Sequence, residues 1–185
     1  MPAFPSQTAP TLSLPTLSGE TFTLANRNPD KFTIVVFYRG LHCPLCSSHL
    51  KEIEERLDAV TAAGMEIVAV SMDDQAKASE TSKRVAASLS TPAVELKATI
   101  AYGLTEDAAR SWGLYISKGM ANSAEPAVFS EPGIAVIQPD NKVFMIQVQS
   151  APFSRPSIDQ LLGGLQYAFK NKYPFRGNCA VKCTT

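Results

Sequence analysis

The sequence predicts an α/β protein with a central mixed β-sheet flanked by helices. A buried strand, an amphipathic helix and a second buried strand follow one another between residues 32 and 72, and such alternation builds parallel sheets with helices on their faces. Two further strand-like runs between residues 133 and 149 add an antiparallel pair. The length of 185 residues suits one domain that can bury a proper core.

We predict a single domain over residues 1–185, with residues 1–30 as an N-terminal hairpin extension and residues 171–185 as a C-terminal tail. The formal net charge is zero. No basic field points to nucleic acid and no basic amphipathic segment points to a membrane, so we expect neither as a partner. The N-terminus has no charged or apolar region typical of a secretory signal. We therefore expect a cytoplasmic protein, where a thiol pair is more often catalytic than structural.

The first half of the chain contains the clearest patterns. Residues 12–24 alternate between apolar and polar around Ser18 and Gly19, which predicts a hairpin. Residues 32–38 are rich in β-branched and aromatic residues and predict a buried strand. Apolar residues at helical spacing then predict a helix that ends near Gly64: Leu50, Ile53, Leu57 and Val60. Residues 65–72 are almost continuously apolar, as expected of a parallel strand covered on both faces.

The second half predicts shorter elements. We expect a helix from Asp73 to about Ser90, a short strand and a loop in residues 93–104, and a short helix opened by Thr105. Residues 113–130 read as a loop, and residues 133–138 and 143–149 as an antiparallel hairpin. The last helix starts near Ser157. It contains Gly163 and Gly164, which predict close packing or a bend.

A Cys-x-x-Cys motif, Cys43-Pro44-Leu45-Cys46, sits where the buried strand ends and the first helix begins. Pro44 is tolerated in the first turn of a helix because its missing N–H would be unpaired there. A thiol at a helix N-terminus is favoured as thiolate, and Arg39 and a protonated His42 would act in the same direction. Two cysteines one turn apart can also form a disulfide. The motif therefore indicates an activated thiol with a resolving partner.

Two other interpretations of the cysteines remain open. Buried cysteines often act as small hydrophobic residues, and Cys-x-x-Cys is half of many zinc sites. A second pair exists at Cys179 and Cys183, but its x3 spacing and its place in a polar tail disfavour a four-thiolate zinc site. We favour a redox pair that needs no metal and no organic cofactor.

Three stretches carry a resemblance to a known family. Residues 14–20, then Phe37-Tyr38-Arg39-Gly40, then the cysteine motif resemble the peroxiredoxin-like (AhpC/TSA, redoxin) branch of the thioredoxin-like superfamily, in its CxxC-containing subgroup. The resemblance implies a thioredoxin-like fold with an N-terminal hairpin extension. It also places Pro132 where thioredoxins carry a cis-proline that faces the cysteine pair. The alternative for Pro132 is an ordinary turn before a strand.

The resemblance assigns two different roles to the same cysteines. In thioredoxins the first cysteine attacks and the second resolves, which makes Cys43 the nucleophile. In peroxiredoxins a Phe-Tyr-Pro lead-in and a Thr precede one peroxidatic cysteine, which would fall on Cys46, with the Thr on Cys43 and the Pro on Arg39. The family's later Arg falls near Glu131 or Pro132 and is absent. A positive charge would then come from Arg39 first, or else from Arg110 or Arg155.

The resemblance implies a thiol-dependent redox enzyme that cycles Cys43 and Cys46 between dithiol and disulfide to reduce disulfides or hydroperoxides. Tyr38, Arg39, His42, Pro44 and Pro132 would support this site. A thioredoxin- or glutathione-type donor would restore the dithiol, and a homodimer is expected. Cys179 and Cys183 are candidate extra resolving thiols or part of a loose end. The alternative function is a redox-sensing or binding protein without turnover.

Overall fold

A computed structural model of the chain describes residues 2–179. The strands are β1 (Ser13–Pro15), β2 (Thr21–Thr23), β3 (Phe32–Phe37), β4 (Met65–Val70), β5 (Thr99–Ala101), β6 (Ile116–Lys118), β7 (Val128–Ser130), β8 (Gly133–Ile137) and β9 (Val143–Val148). The α-helices are α1 (Pro44–Ala62), α2 (Gln75–Ala87), α3 (Glu106–Ser111) and α4 (Ile158–Lys170).

The central sheet is mixed and has the strand order β5-β4-β3-β8-β9. β3 is parallel to β4, which is parallel to β5, and β3 is antiparallel to β8, which is antiparallel to β9. The strands β1 and β2 form one separate antiparallel pair, and β6 and β7 form another. The mixed sheet and the N-terminal hairpin that the sequence predicts are therefore confirmed.

Alternate side chains of β3 point to opposite faces of the sheet, and other elements of the fold cover both faces. Ile34 and Val36 pack with the apolar faces of α1, α2 and α4. Val35 and Phe37 pack on the other side, with Trp112 after α3 and with the N-terminal hairpin. All four strand residues are buried, which explains the unbroken apolar run in the sequence.

The predicted helix starts are confirmed by their capping contacts. The side chains of Asp74, Thr105 and Ser157 accept hydrogen bonds from the first turns of α2, α3 and α4, respectively. Of the two alternatives predicted at the helical glycines, close packing is wrong: apart from chain neighbours and the helix's own backbone, no atom lies within 4 Å of a Cβ built at Gly163 or Gly164. The predicted bend stays a prediction. In residues 2–179, no helix combines the length and apolar character needed to cross a membrane.

The segment predicted as a loop after Gly113 contains the paired strands β6 and β7. Each strand is only three residues long, too short to produce a visible alternation of apolar and polar residues. The residues between them return the chain toward the end of β3. We call residues 116–130 the β6–β7 hairpin, because it supplies part of the candidate site.

Candidate active site

The loop between β3 and α1 is held by a buried aspartate. Gly40 has φ +128, and a Cβ there would lie 2.7 Å from both carboxylate oxygens of Asp73. The backbone N–H of Leu41 donates to Asp73 Oδ2 at 2.8 Å. Burial raises the pKa of Asp73. The sequence suggested only a helix cap for this residue, whereas the structure shows that it anchors the loop leading into the cysteine motif.

Cys43 is the N-cap residue of α1, and Pro44 is the first residue of the helix. The Sγ of Cys43 accepts a hydrogen bond from the backbone N–H of Cys46 at 3.3 Å. The two cysteines are only 2% and 1% exposed, but Pro44 and Leu45 between them are exposed. The motif thus presents its middle residues to solvent and keeps both sulfur atoms covered.

The pKa values of the two thiols are shifted in opposite directions. A hydrogen bond from the Cys46 thiol lowers the pKa of Cys43 to about 6; the backbone N–H of Cys46 and the charges of Arg155 and Arg39 act in the same direction, and burial opposes them. The pKa of Cys46 is raised, first by its hydrogen bond to Cys43 and then by burial. Cys43 is therefore the sulfur that ionises first, while Cys46 keeps its proton.

The guanidinium of Arg155 contacts a cysteine sulfur. Its Nη2 donates to Cys46 Sγ at 3.1 Å, and its Nη1 donates to the carbonyl oxygen of Leu45 at 3.2 Å. From the sequence, Arg39 is expected ahead of Arg155 because Arg39 is next to the motif. Arg155 lies just before α4, and its contact with Cys46 spans 109 positions of the chain. No local pattern in the sequence could have ranked it first.

Arg39 instead faces acidic residues of the β6–β7 hairpin and its continuation. Its Nη2 lies 2.9 Å from Glu125 Oε1, its Nε lies 3.5 Å from Glu131 Oε2, and its Cζ lies 4.6 Å above the Phe129 ring. Ser117 donates to the other oxygen of Glu131 at 2.7 Å. These two carboxylates therefore compensate much of the positive charge of Arg39 and weaken its effect on the Cys43 thiol. Arg110, the other candidate, pairs with Glu106 on exposed α3.

The other predicted support residues lie close to the motif but are uncharged at neutral pH. The His42 ring packs on Phe129 at 4.7 Å between centroids, and burial followed by Arg39 lowers its pKa. The lowered pKa disfavours the protonated form of His42 that was expected to help. Burial raises the pKa of Tyr38, whose hydroxyl is buried near Ser71. His49 on α1, given no role from the sequence, is buried, and burial together with Arg155 lowers its pKa to about 4.

Pro132 does not have the geometry expected from the resemblance. No peptide bond within residues 2–179 is cis, so the expectation of a cis-proline is wrong. Its neighbours are already hydrogen-bonded: Glu131 N–H donates to the Tyr115 carbonyl at 2.8 Å, and Gln149 N–H donates to the Pro132 carbonyl at 3.0 Å. The backbone at Pro132 continues the ladder between β8 and β9 and is not free to bind an extended substrate.

The described part of the C-terminal tail lies at the opposite end of β3 from the motif. The Phe175 ring is 6.1 Å from that of Phe144, which is 5.1 Å from Phe32 at the start of β3. Cys179 is exposed and is disulfide-bonded. Cys183 lies outside the described residues. A resolving role for these two cysteines stays a prediction.

A cleft of about 290 Å³ is lined by Arg155, the residue whose guanidinium contacts Cys46 Sγ, but not by Cys46 itself. Leu45 and Phe153 form apolar parts of its wall, and His49 and Arg155 form polar parts. In the described part of the chain, no group of three or more His, Cys, Asp or Glu residues is placed to hold a metal ion. The arrangement offers one acidic thiol, one neutral thiol beside it, and a guanidinium on the second sulfur.

Comparison with known proteins points to one family. The model of the AhpC/TSA family matches residues 5–146. A search of curated protein sequences gives no match.

Several solved structures have the same fold. A cysteine-to-serine mutant of peroxiredoxin 6 of Arenicola marina superposes with a TM-score of 0.77 at 15% identity, over 91% of this chain and 74% of that one. Thioredoxin peroxidase I of Plasmodium yoelii gives 0.69 at 18% identity, over 99% of both chains. Peroxidoxin BcpB of Mycobacterium tuberculosis gives 0.68 at 16% identity, over 89% and 97%. The sheet, the motif at the start of α1 and the family match agree: the chain belongs to the AhpC/TSA family, as an oxidoreductase of the peroxiredoxin-like branch with a thioredoxin-like fold.

Proposed function

We propose that the protein is a two-cysteine redox enzyme that reduces hydroperoxides by cycling Cys43 and Cys46 between dithiol and disulfide. The observation that carries the proposal is the hydrogen bond from Cys46 N–H to Cys43 Sγ at the N-terminus of α1. This bond stabilises a thiolate on Cys43 beside a second, neutral thiol, which is what attack followed by resolution requires.

The oxidation takes place in two steps. The Cys43 thiolate attacks the terminal oxygen of the hydroperoxide, the O–O bond breaks, and an alcohol or water leaves after taking up a proton, so that Cys43 becomes a sulfenic acid. The Cys46 thiol then attacks that sulfur, the S–S bond forms, and water leaves. One hydroperoxide has gained two electrons from the dithiol. A thioredoxin-type donor fits the recycling step, since one similar structure carries the name thioredoxin peroxidase.

A second candidate reaction is reduction of a disulfide in another protein. The exposure of Pro44 and Leu45 favours it, because a partner chain could contact the turn between the two cysteines. A third, the sensor without turnover, uses the same disulfide but has no efficient recycling step.

The test is a single-turnover reaction followed by steady-state turnover. Reduced protein is mixed with hydrogen peroxide in a stopped-flow instrument, and the product is digested and its disulfides are mapped. We expect a Cys43–Cys46 disulfide in the wild type, a sulfenic acid that persists in Cys46→Ser, and no fast phase in Cys43→Ser. Turnover should follow when thioredoxin, its reductase and NADPH are added.

Other outcomes would change the proposal. A fast phase lost only in Cys46→Ser would make Cys46 the peroxidatic residue. Oxidation no faster than that of a free thiol, with rapid reduction of a protein disulfide, would favour the exchange reaction. Oxidation to one disulfide without turnover, with either thioredoxin or glutathione as donor, would favour the sensor. We also propose a homodimer, which sedimentation equilibrium of reduced and oxidised protein tests.

A further inference from the structure

The guanidinium of Arg155 lies against the sulfur that does not ionise first. Nη2 donates to Cys46 Sγ at 3.1 Å, and Nη1 is held by the Leu45 carbonyl at 3.2 Å. Among the ion pairs of residues 2–179, none includes Arg155. Its positive charge could therefore stabilise a thiolate on Cys46. In the reduced pair, however, the thiolate is on Cys43.

The segment that carries Arg155 is fixed at both ends. Before it, the Gln149 side chain donates to the Ser154 carbonyl at 2.9 Å. After it, the first N–H of α4, on Ile158, donates to Glu52 Oε1 on α1 at 2.6 Å. Since α1 also carries Cys46, the arginine and the sulfur are positioned by one set of contacts. The neighbouring His49 is neutral at physiological pH and adds no second positive charge beside Arg155, and Glu52, which lines the same cleft, forms no ion pair with Arg155.

We propose that Arg155 is a catalytic residue of the recycling half-reaction, where it stabilises Cys46 as the leaving thiolate when a donor thiol opens the Cys43–Cys46 disulfide. This inference rests on the proposed function only in needing that disulfide. It holds whichever of the two sulfur atoms is oxidised first, because both orders give the same disulfide.

The electron balance of the step follows from thiol–disulfide exchange. A donor thiolate attacks Cys43 Sγ, the S–S bond breaks, and its electron pair moves to Cys46 Sγ beside Arg155. A donor–Cys43 mixed disulfide forms. A second donor thiol then attacks the donor sulfur of the mixed disulfide and releases Cys43 as a thiolate, which accepts the Cys46 N–H hydrogen bond. The donor ends as a disulfide, and its proton passes to the Cys46 thiolate.

The structure also favours attack on Cys43 over attack on Cys46. Arg155 covers the Cys46 sulfur and is tied to the adjacent Leu45 carbonyl. Attack on Cys46 would have to displace this contact and would leave the guanidinium without an anion to stabilise. When the donor attacks Cys43, Arg155 stabilises the Cys46 thiolate, which leaves first. The N-terminus of α1 then stabilises the Cys43 thiolate, which is released second.

The test compares Arg155→Met with Arg155→Lys, and uses Arg56→Met as the matched control. Arg56 is an exposed arginine of α1 that forms an ion pair with Asp159. Each oxidised protein is mixed with reduced glutathione, quenched with acid after short times, and analysed for the rate of disulfide opening and the position of the glutathione adduct. Oxidation by hydrogen peroxide is measured on the same samples.

We expect the adduct on Cys43 in the wild type. Removal of a preorganised charged donor should slow disulfide opening in Arg155→Met by about tenfold or more. Oxidation should slow much less, Arg155→Lys should recover part of the rate, and Arg56→Met should behave as the wild type. A merely structural role would slow both half-reactions alike.

Three results would overturn the inference: an adduct on Cys46 in the wild type, an unchanged opening rate in Arg155→Met, or equal slowing of opening and oxidation. Its failure is distinguishable from failure of the proposed function. Absence of a Cys43–Cys46 disulfide after oxidation contradicts the proposed function, whereas a normal disulfide opened at the wrong sulfur contradicts only the role of Arg155.

Discussion

The two arginines nearest the cysteine pair have opposite surroundings. Arg39 adjoins the motif in sequence, but it lies between two glutamate carboxylates and above the ring of Phe129. Arg155 is distant in sequence, but its guanidinium contacts Cys46 Sγ and takes part in no ion pair of the described residues. Proximity along the chain therefore does not decide how strongly a charge acts on a thiol. Arg155 and Arg39 both favour the Cys43 thiolate, but the carboxylates around Arg39 weaken its contribution.

The largest expected effect concerns Arg39, the arginine whose charge is compensated by carboxylates. Glu131 is buried and faces Arg39, so Glu131→Ala leaves a mostly buried guanidinium with one carboxylate partner in place of two. We expect the free energy of unfolding to fall by about 3 kcal/mol, measured by urea denaturation. The control is Glu80→Ala, which removes an exposed pair with Arg84 and should change stability by about 0.5 kcal/mol or less. Equal losses in the two variants would show that the Arg39 cluster contributes no more than a surface ion pair.

A second prediction concerns Gly40, in the turn between Arg39 and Cys43. Gly40→Ala would place a Cβ 2.7 Å from the carboxylate of Asp73 at φ +128, so we expect a loss of about 2 kcal/mol. Gly163→Ala is the matched control of opposite sign. That glycine lies in the exposed part of α4 with open space around it, so alanine should raise stability by up to about 1 kcal/mol. Thermal unfolding of both variants checks the pair, and a neutral Gly40→Ala would refute the close contact with Asp73.

A third prediction follows from the pKa of about 6 for Cys43. A thiol whose pKa is lowered is thiolate above that pKa and loses the nucleophile as the pH falls through it. The rate of oxidation by hydrogen peroxide should therefore rise about tenfold between roughly pH 5 and pH 7 and then level off. A stopped-flow pH series measures it. A rate that keeps rising toward pH 9, as for an ordinary thiol, would contradict the assignment.

The smallest expected effect concerns Glu125 and its compensation of the charge of Arg39. Glu125 shares Arg39 with Glu131 and also accepts the Met120 N–H at 2.9 Å. Glu125→Gln should leave the charge of Arg39 less neutralised and lower the pKa of Cys43 by a few tenths of a unit. Titration of the thiolate absorbance measures the shift. The control is Glu106→Gln, at the exposed pair with Arg110, which should leave the pKa of Cys43 unchanged. A rise in the pKa of Cys43 in Glu125→Gln would mean that Arg39 does not act on Cys43.

Much of the fold could be predicted because its signals are local. The apolar run of β3, the helical spacing in α1 and the capping residue Ser157 each act within one element, and the structure confirms them. The cysteine pair at the start of α1 was visible for the same reason. Their catalytic roles stay predictions.

The rest of the site depends on contacts between distant parts of the chain. Arg155 reaches Cys46 across 109 positions, and Glu125 reaches Arg39 across 86. Asp73 resembles a helix cap in the sequence, but its carboxylate holds the loop at Leu41. The cis geometry expected at Pro132 came from the resemblance alone. The structure has a trans bond there, with Glu131 N–H hydrogen-bonded to the Tyr115 carbonyl and the Pro132 carbonyl to Gln149 N–H.

The assignment of Cys43 as the acidic thiol can be tested by ultraviolet thiolate titration of reduced wild type, Cys43→Ser and Cys46→Ser. We expect an acidic step near pH 6 in the wild type that disappears in Cys43→Ser. In Cys46→Ser the thiol that makes the largest contribution to the low pKa of Cys43 is replaced by a hydroxyl that can also donate a hydrogen bond. The step should remain below the ordinary thiol range, because the backbone N–H at position 46 and the end of α1 are also unchanged. An acidic step that survives in Cys43→Ser and vanishes in Cys46→Ser would show that Arg155, and not the helix N-terminus, selects the nucleophile, and would contradict the central claim.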